Sequence, residues 1–158
     1  MLYIQDQSGS YLPAPKEAIF AAAKRLSSNQ LRRGVPIQSS ETAKAAIGQK
    51  LSDYPYEMFA CLFLDNTHRV LAFQEMFRGS INCTTIHPRE VVREALRLNA
   101  AAVILAHNHP SGETEPSSQD IQLTRILTQI LKVIDVRVLD HLVVGETIIS
   151  MADSGYLS

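Results

Sequence analysis

The sequence predicts an α/β fold in which one sheet is covered by helices on both of its faces. Two short apolar runs, residues 59–64 and 101–109, have the length and composition of buried strands. Segments with apolar residues at helical spacing alternate with strand segments along the chain, which is typical of an α/β sheet. The chain has 158 residues, of which 46% are hydrophobic and 20% charged, as expected for one globular domain.

The N-terminal third of the chain is predicted to be largely helical. Residues 1–13 are predicted to be irregular, and a first helix covers residues 15–28, with Pro15 at its start. A second helix runs to about Leu51, and Ser39 is placed to cap its N-terminus. The apolar residues predicted to face inward from this second helix are Ala43, Ala46 and Ile47.

The sheet and its helices are predicted from residue 59 onward. After the first strand come a turn, a returning strand over residues 69–73, and further strand and turn to Ile86. Pro88 begins a helix that ends near Leu98. The segments that complete the order are the strand 101–109, the polar loop 110–116, the helix 117–133, and the strands 136–144 and 147–151.

Composition and charge exclude several classes of protein. No apolar run reaches the length of about 18 residues that a transmembrane helix needs, and residues 1–6 do not resemble a secretory signal. The two cysteines, Cys61 and Cys83, are too few for a disulfide scaffold. We therefore expect a cytoplasmic protein with reduced cysteines, and no membrane partner.

Charge is distributed unevenly along the chain. Residues 1–50 carry a net charge of +4, whereas residues 51–158 carry −5. The basic segment could contact the phosphates of a nucleic acid, or it could be a solvated helix face. We divide the chain accordingly into a helical N-terminal extension, residues 1–50, and one compact domain, residues 51–158.

Residues 106–120 contain the side chains with the clearest chemical potential. His107 and His109 are two apart, so a strand places both imidazoles on one face. Asp120 follows eleven residues later, and the intervening loop could return its carboxylate to the same point. Two imidazoles and one carboxylate fill three positions of a tetrahedral Zn²⁺ and leave the fourth for water, as in catalytic zinc sites.

Some of these residues also permit a structural interpretation. Ser117 and Asp120 have the spacing of a capping box at a helix N-terminus, and Ser117 could serve both roles. A histidine on a buried strand can be a core residue with satisfied hydrogen bonds. Asp140 and His141 could form a carboxylate–histidine contact beside a metal or a structural hydrogen-bonded pair. These alternatives stay open at the level of the residues.

The spacing of the cluster resembles a known motif. His107-x-His109, seven residues, Ser117, two residues and Asp120 resemble the JAMM motif of MPN-domain metalloproteases. Three segments resemble the bacterial RadC family more closely, namely residues 87–90 (HPRE), 107–112 (HNHPSG) and 140–145 (DHLVVG). The resemblance covers about residues 56–156. It implies a three-layer α/β/α sandwich with a mixed sheet, the JAB1/MPN fold, similar to that of cytidine deaminases.

The resemblance also implies a function and a set of roles. It implies a Zn²⁺-dependent hydrolase of peptide or isopeptide bonds, with zinc held by His107, His109 and Asp120. An upstream glutamate would act as general acid and base, and the resemblance alone selects Glu75 over Glu57 for this role. Ser117 would stabilise the developing oxyanion.

Two departures from the family pattern bear on the function. Asn108 stands between the histidines where the peptidase members usually have serine, and RadC members share this asparagine. Residues 1–50 are too short for the helix-hairpin-helix region that RadC proteins usually carry, so the chain resembles the short stand-alone members. The alternatives to a hydrolase are therefore a metal-binding interaction module without catalysis and a nucleic-acid binder. A zinc nucleobase deaminase is excluded, because its His-x-Glu and Pro-Cys-x-x-Cys motifs are missing.

Overall fold

A five-stranded mixed sheet forms the centre of the computed structural model, which describes residues 1–79 and 86–157. The strand order is β4-β3-β5-β6-β7, in which β5 and β6 are parallel and the other neighbours antiparallel. In chain order the elements are β1 (Tyr3–Gln5), β2 (Tyr11–Pro13), α1 (Lys16–Gln30), α2 (Ser40–Leu51), β3 (Met58–Leu64), β4 (Val70–Arg78), α3 (Pro88–Arg97), β5 (Ala102–Asn108), α4 (Ser118–Val133), β6 (Arg137–Val144) and β7 (Ile148–Ser150).

Helices cover both faces of this sheet, so the predicted three-layer α/β/α sandwich is confirmed. On one face, the buried side of α2 packs against alternate residues of the strands, among them Ala60, Ile104 and Leu142. On the other face, α3 and α4 pack against Phe59, Leu105 and their neighbours. Each fully buried Leu or Phe contributes about 1.5–3 kcal/mol to stability, so both layers hold the sheet firmly.

The central strands β3 and β5 are buried along their whole length, as their apolar sequences predict. Their antiparallel register pairs Phe59 with His107 and Ala60 with Ala106. Directly paired residues share a face of the sheet, and consecutive residues alternate between faces. His107 therefore lies on the α3 and α4 side, and Ala106 lies on the α2 side.

The predicted helix starts agree with the observed ones. Ser39 caps α2, since its side chain accepts a hydrogen bond of 3.1 Å from the Thr42 backbone N–H. Pro88 is the first residue of α3. The three residues predicted to face inward from α2 are buried. This helix spans the expected domain boundary at residue 50 and forms part of the core beneath the sheet.

The prediction of an irregular chain over residues 1–13 is wrong. The strands β1 and β2 form a hairpin, whose turn is built around the Asp6 carboxylate and Gly9, which has a φ of 88°. Every residue of both strands is exposed. Because neither strand has a buried face, the sequence lacks the alternation of polar and apolar residues that identifies a strand.

The segment after residue 73 is only partly described. The strand β4 continues to Arg78, which agrees with the predicted further strand, and Gly79 follows with a φ of 109°. Residues 80–85, which include Cys83, lie outside the described residues. Cys61 is a free, buried cysteine of β3, and burial raises the pKa of its thiol. Over the described parts of the chain, no helix has the length and apolar character needed to cross a membrane.

Candidate metal centre

The two predicted histidine ligands meet at the end of the central strand β5. His107 is the last residue but one of this strand and is fully buried, because α4 covers that face of the sheet. His109 follows the strand directly, and the parity of the two positions directs both rings to the same side. Their Nε2 atoms are 2.9 Å apart.

Asp120 reaches the same point from the first turn of α4. Its Oδ1 lies 3.2 Å from His107 Nε2, and its Oδ2 lies 3.3 Å from His109 Nε2. The same carboxylate accepts the Ser117 backbone N–H at 2.8 Å, and the Ser117 hydroxyl accepts the Asp120 N–H at 3.0 Å. The capping box is therefore present, and it places the carboxylate against the histidines. The Asp120 side chain thus completes the helix cap and also contacts both histidines.

The geometry of the cluster fits a tetrahedral metal ion. Bonds of 2.0–2.1 Å from zinc to nitrogen or oxygen imply about 3.4 Å between neighbouring ligand atoms. The two Nε2 atoms are 2.9 Å apart, and each lies 3.2 or 3.3 Å from a different Asp120 oxygen, which is close to this value. One ligand atom from each residue lies within 4.8 Å of the other two. His107, His109 and Asp120 thus form a group that could hold a metal ion.

The electrostatics of the cluster keep the Asp120 carboxylate ionised. Burial by itself would raise the Asp120 pKa, but hydrogen bonds from His107 and His109 outweigh it and hold the pKa well below its usual range. The hydrogen bond to Asp120 in turn raises the pKa of His109, against an opposing effect of burial. An ionised carboxylate is the form that coordinates a cation.

The second nitrogen of each histidine ring also has a partner. His109 Nδ1 donates to the Glu113 carbonyl oxygen at 2.9 Å. When a metal ion displaces the proton that Nε2 donates to Asp120, Nε2 is therefore the atom with the free lone pair. His107 Nδ1 lies 2.7 Å from His141 Nε2. When His107 Nε2 is a ligand, its Nδ1–H donates to His141. Such partners fix the tautomer and the orientation of ligating rings.

A short chain of hydrogen bonds extends behind His107. The Thr124 hydroxyl donates to the Asp120 carbonyl oxygen at 2.7 Å, so it accepts from His141 Nδ1. Burial and the nearby charge of His107 lower the pKa of His141 well below its ordinary value, which keeps this ring neutral. Asp140 does not contact the His141 ring; its carboxylate accepts from Ser150 and two backbone N–H groups on the other face. His141, which the sequence offered as a partner of Asp140, instead contacts His107 and Thr124.

The loop that orients His109 packs against the turn between β6 and β7. A Cβ added at Gly145 would lie 2.4 Å from the Glu113 carbonyl oxygen, the atom that accepts from His109. Only glycine permits this approach, so the turn and the loop hold each other in place. A cleft of about 650 Å³ opens beside this contact, and its lining includes Tyr54, Pro55, Asn108, His109, Ser111 and Glu146.

The structure does not bring Glu75 to the cluster. Glu75 pairs with Ala60, which pairs with Ala106, so all three lie on the face opposite His107. The Tyr54 hydroxyl donates a hydrogen bond to the Glu75 carboxylate there, and this contact raises the Tyr54 pKa to about 12. Glu75 also belongs to an edge strand, with β3 between it and β5.

Glu57, the alternative carboxylate, lies on the side of the cluster. Continuing the register of Phe59 with His107 by two residues places Glu57 opposite His109, on the His107 face. The charge of Glu57 is one of the smaller causes that raise the His109 pKa, after the hydrogen bond to Asp120. Glu57 is half-buried. The signal that could have selected Glu57 is its two-residue spacing from Phe59, which puts both side chains on the same face as His107.

Comparison with known proteins agrees with the geometry of the site. The model of a family described as the RadC-like JAB domain matches residues 37–156. The chain belongs to the RadC family. A RadC-like JAB domain and the His107, His109 and Asp120 cluster fit a metal-binding domain of the JAMM type.

Relatives of this RadC-family chain match it over most of its length. A UPF0758 protein of Thioalkalivibrio sulfidiphilus is 51% identical over 149 residues, which are 94% of this chain and 67% of that protein. A UPF0758 protein of Marinobacter nauticus is 49% identical over 91% of this chain and 65% of its own length. A UPF0758 protein of Vibrio cholerae is 49% identical over 79% of each chain. The chain thus spans about two thirds of the length of the first two relatives.

The two roles of the Ser117 and Asp120 pair can be separated by substitution. We expect Ser117→Ala to reduce the free energy of unfolding by about 0.5–2 kcal/mol, because a helix cap is lost while all three ligands remain. Asp120→Asn retains an oxygen that accepts the Ser117 N–H but loses the charge. It should weaken zinc binding by more than about 100-fold, since loss of an outer-shell partner alone costs up to that much. Denaturant unfolding and chelator competition measure the two effects, and equal losses of affinity would contradict this division.

Proposed function

We propose that the chain is a zinc-dependent hydrolase of peptide or isopeptide bonds. The observation that supports this function best is that the side chains of His107, His109 and Asp120 converge, with contacts of 2.9, 3.2 and 3.3 Å between them. Two imidazoles and one carboxylate suit zinc, and they leave one coordination position for water or substrate. Zinc held by these residues would supply the activation of water for attack, because a zinc ion lowers the pKa of bound water to about 7.

The proton transfers of the reaction require a carboxylate close to the ligands. We assign this role to Glu57, because extending the register by two residues beyond the Phe59–His107 pair brings it opposite His109, and its charge helps to raise the His109 pKa. The Glu57 carboxylate would accept a proton from the attacking water and return it to the leaving amine nitrogen. Glu75, which the family resemblance selects, lies on the other face of the sheet.

The surroundings of the cluster are suited to a polypeptide substrate. The cleft of about 650 Å³ beside His109, lined among others by residues 110–112 and Gly145, is where we place an extended substrate chain. Ser117 is exposed at the N-terminus of α4. Its hydroxyl accepts from Asp120 and has its own O–H to donate to a developing oxyanion.

Metal dependence of hydrolysis tests this proposal. Chelator-stripped protein should not cleave a library of fluorogenic peptides and isopeptides, and the activity should return on addition of zinc. The His107→Ala/His109→Ala double variant, purified in parallel, controls for contaminating proteases. If zinc raises the melting temperature but no member of the library is cleaved, the metal-binding interaction module is the correct alternative.

A further inference from the structure

Asn108, the residue between the two histidine ligands, points away from them. It lies on the face of Ala106, where α2 packs, and only 2% of its surface is exposed. Its side chain therefore does not belong to the cluster. A buried carboxamide needs hydrogen-bond partners, and the partners of Asn108 all lie in a segment about fifty residues earlier in the chain.

The Asn108 carboxamide binds the backbone on both sides of Glu57. Its Oδ1 accepts the Met58 N–H at 2.7 Å. Its Nδ2 donates to the Tyr56 carbonyl oxygen at 2.9 Å and to the Tyr54 carbonyl oxygen at 3.3 Å. The residue before Glu57 and the residue after it are thus both joined to the end of β5.

These contacts need an amide side chain at position 108. One acceptor and two donors on a planar group match one N–H and two carbonyl groups. A serine hydroxyl is shorter and has a single donor, so it could satisfy at most one of the two carbonyl oxygens. The Glu57 carbonyl oxygen also accepts from the Gly79 N–H at 2.8 Å, so the backbone of Glu57 is held on the other side by the end of β4.

We infer that Asn108 is a positioning residue that sets the Glu57 side chain opposite His109 at the metal centre. Asn108 and the two ligands occupy consecutive positions of one strand end, so a single element orients both the ligands and the carboxylate. This inference rests on the proposed function, because it gives Glu57 a role beside a bound metal. It also explains what an asparagine does between the histidines.

An engineered ligand can report whether Asn108 positions residue 57. We expect Glu57→His to add a third imidazole as the fourth ligand and to tighten Co²⁺ and Zn²⁺ binding by at least about tenfold. In the Asn108→Ala background, Glu57→His should raise the metal affinity by less than about twofold, because residue 57 is no longer held at the site. Absorbance titration with Co²⁺ and chelator competition with Zn²⁺ measure both gains without any substrate.

Matched variants separate positioning from general loss of stability. Ile104→Ala lies in the same strand and on the same face but away from residues 54–58, so it should preserve the tenfold gain. If Asn108→Ala does not fold, Asn108→Ser provides the same comparison. The inference would be overturned if Glu57→His raised the metal affinity tenfold in either Asn108 variant. It would also be overturned if Glu57→His left the metal affinity of the otherwise unchanged protein as it was.

Amide hydrogen exchange of the metal-free protein is a second, independent test of the role of Asn108. The Met58 amide should exchange at least about tenfold faster in Asn108→Ala, whereas amides of α4 should be unaffected. Unchanged protection of Met58 would overturn the inference. A protein that binds no metal but shows the faster exchange would instead contradict the proposed function and retain the role of Asn108 in placing Glu57.

Discussion

The His107→Ala/His109→Ala double variant is expected to contain no zinc, whereas the unchanged protein should contain about one zinc ion per chain. The physical reason is that two of the three ligands are removed and Asp120 alone cannot retain the ion. Metal content should be measured by mass spectrometry on untagged protein that is purified without chelators. Addition of zinc should raise the melting temperature of the unchanged protein only, because ligand binding stabilises the folded state that contains the site.

The control for this experiment is another histidine of the chain. His68 lies in the turn that joins β3 to β4, at the end of β3 remote from the cluster, so His68→Ala should leave the zinc content unchanged. Circular dichroism of the double variant should retain the helix and strand signals. Equal zinc in the double variant and the unchanged protein would show that the cluster is only a helix cap packed against two histidines.

Glu57→Gln is expected to reduce hydrolysis by about 10²–10⁴-fold, the range that general acid–base catalysis supplies. Glutamine has the same shape as glutamate but cannot accept the proton of the attacking water. The zinc content should not change, because the three ligands remain in place. The rate should be measured on whichever peptide or isopeptide the zinc-loaded protein cleaves.

Glu75→Gln is the matched control for this change. Both substitutions replace one carboxylate by a carboxamide of the same shape. Glu75, however, lies on the face of the sheet opposite the cluster, where its carboxylate accepts a hydrogen bond from the Tyr54 hydroxyl. We expect nearly unchanged turnover in Glu75→Gln. A large loss of turnover in Glu75→Gln together with full activity in Glu57→Gln would restore the assignment that the family resemblance implies.

Much of the fold could be predicted because its signals are local. The apolar runs of β3 and β5 and the Ser39 cap of α2 each identify an element within a few residues. The hairpin of β1 and β2 could not be predicted in this way, since all its residues are exposed and no periodicity marks them.

The sequence by itself determined which side chains form the cluster of His107, His109 and Asp120. The two-residue spacing of the histidines and the capping box of α4 are short-range features. Each one orients its side chains through contacts within a few residues of the chain. The family resemblance added the expectation that these two local features meet. Their meeting is observed, with contacts of about 3 Å between the three side chains.

Only the tertiary structure decided which residues support that cluster. His141 joins His107 across 34 residues, and Asn108 joins Met58 across 50 residues. These contacts depend on the strand order and on the register between strands, in which a shift of one residue moves every side chain to the other face. The same register separates Glu75 from Glu57, because Glu75 pairs with Ala60 on the α2 face, whereas Glu57 has the parity of Phe59, on the other face.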